Sequence, residues 1–147
     1  MARKFVQSEI INRPVAEVFA FLSNFENNSQ WEPSVLEAHQ VSSEPMQVGT
    51  KLSEVRKFMG RRVASNYEVI GYEPNRKFAV QSVSGPIQVK ASYTFEPTES
   101  RTIITDTAEF EIQGFFKLMA PLFGMMVKNQ MKSNFRKIKE TLERSNN

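Results

Sequence analysis

Three charged residues stand among apolar neighbours. Glu54 and Arg56 lie two apart in a strand-like run over 50–59, where they share a face with Leu52 and Phe58. Asp106 lies in a second run, 101–112, on one face with Ile104, Ala108 and Phe110. Alternate residues of a strand point the same way, so spacing alone groups them. A charge on a buried face is paired or becomes neutral. Arg56 has Glu54 and Asp106 as candidate partners. In an apolar cavity such a cluster would orient a hydroxyl, carbonyl or carboxylate, and a carboxyl group with a shifted pKa would do acid–base work. Two plainer readings compete. A one-residue register slip would send all three to solvent, and an ion pair would merely tie strands together. Asp106 is the most suggestive of the three, because apolar residues flank it at strand spacing.

Other chemistries find few residues to run on. His39 is the only histidine, on a run over 34–43 with Val35, Glu37 and Val41, and there is no cysteine. Zinc would need carboxylates gathered around that one imidazole, and neither an HxH nor an HExxH spacing occurs, so no metal is expected. A Ser-His-Asp arrangement would depend on the same His39, and no GxSxG elbow is present. The six glycines are scattered as turn residues rather than gathered into a phosphate-cradling loop, and no cofactor is expected. Trp31 reads either as a hydrophobic plug or as an aromatic wall at a pocket mouth.

The net charge is a modest +3, and after Gly114 seven Lys or Arg stand against two Glu. That bias suits a solvated helix face or attraction to anionic lipid. Nucleic acid is not expected as a partner, because the basic residues do not alternate with exposed aromatics. The first residues contain no signal-peptide core, and no run approaches the roughly 20 apolar residues that span a bilayer. Together with the lack of cysteine, this predicts a cytoplasmic protein.

The elements that must position these residues follow from periodicity and punctuation. The 147 residues, 40% hydrophobic and 24% charged, suit one domain over 1–147 with one core. Residues 3–11 read as a strand. A helix starts at Asn12-Arg13-Pro14 and buries Val15, Val18, Phe19 and Leu22. After a polar connection over 24–33 come strand-like runs at 34–43, 50–59, 61–73, 76–84, 87–96 and 101–112. Glu44-Pro45 with Gly49, Gly60, Glu73-Pro74-Asn75, Gly85-Pro86 and the segment 96–100 separate them, which implies antiparallel hairpins.

A long helix over 116–142 closes the chain, with an apolar stripe at Phe116, Ala120, Phe123, Val127, Met131, Phe135, Ile138 and Leu142. Its first half carries a second apolar side, Phe115, Leu118, Met119, Leu122, Met125 and Met126, which needs a ligand, membrane, subunit or covering loop. Pro121 is placed to restart or kink the helix. The fold class is α+β: a curved antiparallel sheet of about seven strands around a long C-terminal helix, with one or two short helices after the first strand. A bent sheet crossed by a helix encloses a space wherever the inward residues are not all large.

This order resembles the START-like helix-grip (SRPBCC) superfamily, and within it the polyketide cyclase/dehydrase and lipid-transport group. The segments that carry the resemblance are Pro14-Val-Ala-Glu-Val-Phe-Ala-Phe-Leu-Ser23, Trp31-Glu-Pro33, Val48-Gly-Thr50, Gly60-Arg-Arg62, Tyr67-Glu-Val-Ile-Gly-Tyr-Glu-Pro74 and Tyr93-Thr-Phe-Glu-Pro97, with the closing helix. The family register implies an inward set that would bind ligand: Trp31, Leu52, Glu54, Arg56, Phe58, Phe78, Val80, Val89, Tyr93, Asp106, Ala108 and Phe110, with Phe123, Val127 and Met131 from the helix. Loops 58–62 and 84–86 fall where relatives frame the cavity mouth, although hairpin chemistry alone also explains their Gly and Pro.

The resemblance implies binding of a hydrophobic or amphipathic, lipid- or polyketide-like molecule between sheet and helix. One alternative is a cyclase- or dehydratase-type enzyme using a cavity carboxylate, with Asp106, Glu54 and Arg56 as candidates. Another is a membrane-surface or partner-binding module using the 115–126 patch. Either a monomer or a homodimer is consistent with the sequence.

Overall fold

The computed structural model describes residues 3–58, 60–84, 87–112 and 120–144. The side chains of Phe58, Ile87, Ile112, Ala120 and Phe123 lie outside that description. The order is β1 (Arg3–Ile11), α1 (Val15–Ser23), a 3-10 turn (Phe25–Asn27), α2 (Asn28–Trp31), β2 (Val35–Gln40), β3 (Lys51–Phe58), β4 (Arg61–Glu73), β5 (Lys77–Ser84), β6 (Ile87–Thr98), β7 (Arg101–Ile112) and α3 (Ala120–Arg144). All strands join one antiparallel sheet in the order β1-β7-β6-β5-β4-β3-β2. This is the helix-grip architecture that the sequence pattern predicts.

Local chemistry accounts for the boundaries. Pro14 sits extended at the head of α1, and its carbonyl accepts from the backbone N–H of Glu17 and Val18. Gly60 turns β3 into β4 at φ 79°, a conformation costly for a residue with a Cβ. Asn75, one of the few residue types that tolerate the left-handed region, takes φ 63° between β4 and β5. Two register shifts in β4, at Asn66/Tyr67 and Val69/Gly71, interrupt the ladder to β5, and such bulges bend and twist a strand.

Two strand ends differ from the sequence expectation by two residues or more. The strand expected over 34–43 ends at Gln40, where a polar turn over 42–45 takes over. β6 instead runs two residues beyond 96, carrying Pro97 opposite Thr102 and leaving Glu99-Ser100 as the turn. The N–H of Phe95 points to the β5 side, where it bonds the Arg76 carbonyl. Pro97, two residues on, faces the same side, where β6 has outrun its β5 ladder, so its missing N–H breaks no strand pairing.

The helix expected over 116–142 is described from Ala120, with Pro121 in its first turn. Phe115, Phe116, Leu118 and Met119 lie outside the described residues. No helix among the described residues is long and apolar enough to cross a membrane.

The apolar core is divided. The larger part gathers Phe19, Leu22, Phe25 and Trp31 from the α1–α2 segment, Leu52, Val69, Phe78, Phe95 and Ile104 from the sheet, and Phe135, Ile138 and Leu142 from α3. The smaller consists of Ala108, Val127 and Met131, with Phe5 and Phe110 against them.

Candidate functional site

A cavity of about 350 Å³ lies between the sheet and the first half of α3. Its apolar wall comes from Val63 on β4, Val89 and Ala91 on β6, Ala108 and Phe110 on β7, and Met126, Val127 and Met131 on α3. Strand alternation brings Val89, Ala91 and Tyr93 onto this wall together, and it does the same for Asp106, Ala108 and Phe110. Helical spacing brings Val127, Gln130, Met131 and Asn134 onto one face of α3.

The polar end is built around Arg56. Its Nε donates to Glu54 Oε1 at 3.0 Å, and its Nη1 donates to Glu32 Oε1 at 2.5 Å and to Ser34 Oγ at 3.2 Å. Tyr67 donates its hydroxyl to Glu54 at 3.3 Å. From α3, Gln130 Nε2 reaches Ser34 Oγ at 2.7 Å and Glu32 Oε1 at 3.4 Å, and Asn134 beside them favours the charged form of Glu32. Glu32 reaches this position because Trp31, its neighbour at the end of α2, turns inward as a buried plug.

Burial opposes the charge on Arg56, but Glu32 and Glu54 more than offset it and hold the guanidinium firmly protonated. Burial raises the Glu32 carboxyl above its ordinary value in spite of Arg56. Tyr67 is raised by burial and by the charge on Glu54, so its hydroxyl stays protonated.

Asp106 is held differently. It occupies the centre of β7, opposite Tyr93 on β6 and Gln7 on β1. Its Oδ1 is buried without a hydrogen-bond partner. Burial, with a smaller contribution from the charge on Glu32, pushes its pKa up to about 7. Tyr93 is raised well above its ordinary value by burial and by Asp106. A carboxyl group in this state takes up or gives up a proton near neutral pH.

The structure therefore separates residues that the sequence considered together. Arg56 pairs with Glu54 and with Glu32, not with Asp106. β4, β5 and β6 lie between the strand of Arg56 and that of Asp106. Of the inward set that the sequence implies, Arg56, Val89, Tyr93, Asp106, Ala108, Phe110, Val127 and Met131 line the cavity. Trp31, Leu52, Phe78 and Val80 instead lie in the packed core, and the indole Nε1 of Trp31 has no partner there. Glu54 is buried behind Arg56 rather than on the cavity wall. The side chains of Phe58 and Phe123 lie outside the described residues, as do Met59, Gly85 and Pro86 of the two loops.

Glu32, Ser34, Ser65, Tyr67, Gln130 and Asn134 line the cavity without having been anticipated. Gln130 and Asn134 carried a usable signal, since each follows a stripe residue, Val127 or Met131, by three. His39 is exposed beside Glu37, at 3.5 Å, and is not a cavity residue. Among the described residues no three His, Cys, Asp or Glu side chains gather as a metal site. Leu122, Met125 and Met126 are 57%, 65% and 46% exposed, and Met126 also lines the cavity, which places this apolar surface at its rim.

Comparison with known proteins places these features in a family. The family model described as polyketide cyclase / dehydrase and lipid transport matches residues 2–143. Among solved structures, a protein from Thermus thermophilus superposes with a TM-score of 0.84 at 17% identity, covering 99% of this chain and 100% of that one. The Zhui aromatase/cyclase from a Streptomyces species gives 0.83 at 12% identity, covering 98% and 95%. A START superfamily protein from Mycobacterium smegmatis gives 0.79 at 11% identity, covering 96% and 97%. At these identities the likeness establishes the fold. No functionally curated protein matches the sequence.

Proposed function

The chain belongs to the polyketide cyclase / dehydrase and lipid transport family, and from that premise we propose that it holds a small hydrophobic or amphipathic molecule between the sheet and α3. The observation that carries this reading is the cavity of about 350 Å³, apolar along its walls and polar only around Arg56 and Asp106. That size suits a compact ligand of one or a few rings or a short chain. Burial of its apolar body supplies affinity, and the Glu32–Arg56–Glu54 cluster, rigid through its mutual hydrogen bonds, orients the polar end. The test is displacement of a cavity-bound fluorescent probe by candidate ligands, paired with mass analysis of molecules extracted from the purified protein. Displacement should be lost when Ala108→Leu fills the cavity. A probe that binds equally well to the filled variant would contradict the reading.

A second reading is favoured by one observation, the Asp106 carboxyl group poised near neutrality. In a cyclase- or dehydratase-type reaction Asp106 would accept a proton from a carbon beside a ligand carbonyl, or return one to a departing hydroxyl, while the cavity held the flexible chain folded. Assay with polyketide-like substrates separates the two readings. Asp106→Asn should abolish turnover and preserve binding if the protein is an enzyme, whereas absence of turnover by the parent protein leaves plain binding.

A further inference from the structure

We propose, building on the ligand-holding reading, that the cavity selects molecules whose polar end donates hydrogen bonds and carries no negative charge, with an ammonium favoured over a hydroxyl. The geometry rests on two acceptors. Asp106 Oδ1 on β7 and Asn134 Oδ1 on α3 are buried, line the same cavity and have no hydrogen-bond partner. They approach from opposite walls, one on the sheet and one on the helix. Asn134 lies beside Glu32 and favours its charged form, which turns the amide NH₂ toward that carboxyl group. That leaves the carbonyl oxygen, a pure acceptor, buried without a donor in a residue of the cavity lining. A buried acceptor without a donor is unfavourable, and each N–H or O–H that a ligand brings to one of them relieves that cost.

Charge points the same way. The buried groups at this end are three carboxyls, Glu32, Glu54 and Asp106, against one guanidinium. Arg56 already serves Glu54 through Nε, and Glu32 and Ser34 through Nη1. A ligand carboxylate would have to share that guanidinium with two carboxylates in place, and would face Asp106 beyond them. Tyr93 and Tyr67 add neutral hydroxyls. Lys57 stands exposed at the rim, where solvent screens it. An ammonium meets excess negative charge and supplies three donors, and a hydroxyl supplies one donor at no cost in charge.

The test uses four ligands with one apolar body: 2-naphthylmethylamine, 2-naphthalenemethanol, 2-methylnaphthalene and 2-naphthoate, titrated into the full chain at pH 7.5 by calorimetry. The amine should bind tightest and the alcohol next, with the carboxylate at least about tenfold weaker than the alcohol. Asp106→Asn should erase the advantage of the amine over the alcohol, and Asn134→Leu should weaken both while leaving 2-methylnaphthalene unchanged. Carboxylate binding as tight as the alcohol, or methylnaphthalene binding as tight as the amine, overturns the proposal and leaves the ligand-holding reading standing. Failure of all four to bind overturns that reading and the proposal together. Should a variant not fold, the ranking on the parent protein decides by itself.

Discussion

The two halves of α3 rest on the same sheet, yet one half is packed and the other spans a cavity. Phe135, Ile138 and Leu142 are all buried in the larger core. Polar clamps hold that end: Asn12 N–H donates to Glu143 at 3.0 Å, Arg13 Nε to the Leu142 carbonyl at 3.1 Å and Lys139 Nζ to the Ile10 carbonyl at 2.8 Å. Around Val127 and Met131 the helix instead covers the cavity, with Gln130 and Asn134 reaching its polar end. The cause is visible in two strand pairs four residues apart on β6 and β7. Phe95 lies opposite Ile104 and fills its space, whereas Ala91 lies opposite Ala108 and leaves room. Tyr93 opposite Asp106 marks the change from one regime to the other. Side-chain volume along two strands, rather than any change of fold, separates the supporting half from the receiving half.

The contrast can be broken first by truncation. Phe135→Ala in the packed half should cost about 3–5 kcal/mol of unfolding free energy, because the surroundings cannot collapse onto the void. Val127→Ala beside the cavity should cost roughly 1–2 kcal/mol, since it enlarges space already present. Urea unfolding checks both, and equal losses would mean that the halves are equally packed.

Asp106 sharpens the contrast through pH. The unfolded chain releases this proton near pH 4, and the folded protein holds it to about pH 7. Between those values the folded state binds more protons, so the stability that Asp106 contributes is full below about pH 4 and is lost as pH rises through 7. Neutral Asp106→Asn should therefore match the parent at pH 4 and exceed it at pH 8, by at most about 4 kcal/mol. Unfolding at the two pH values measures the difference. A variant no more stable than the parent at pH 8 would mean that the carboxylate finds compensation in the fold.

Filling the receiving half should act on binding rather than on folding. Ala108→Leu is expected to weaken ligands by tenfold or more, with a stability change within about 1–3 kcal/mol. The smallest effect belongs to the rim. Leu122→Ser with Met125→Ser should leave stability within about 0.5 kcal/mol, as exposed positions do. If this apolar surface touches membranes, the double variant should also lose co-flotation with anionic liposomes at low salt.

Much of this layout is legible in the chain. Alternation and the turn residues at Gly60 and Asn75 give the strands, and the helical stripe gives the packed face of α3. Asp106 stands out because Ile104 and Ala108 flank it at strand spacing. Alternation tells which face a residue takes, but not how far along the sheet it meets the helix. For that reason Leu52, Phe78 and Val80 share the inward face with the cavity residues yet lie in the core. Glu32 was illegible for another reason. It sits between Trp31 and Pro33 in a connection with no period, and only the placement of α2 against β2 and α3 turns it toward Arg56. Pro97 reads as a turn residue because its ladder-free side depends on where β5 begins.

The most direct test of a receiving half is a crystal structure of the protein with 2-naphthalenemethanol. Ring density is expected between the Ala91–Ala108 pair and Val127–Met131, with the hydroxyl against Asp106 and Asn134. A space filled by the protein's own side chains, with no ligand between sheet and helix, would contradict it.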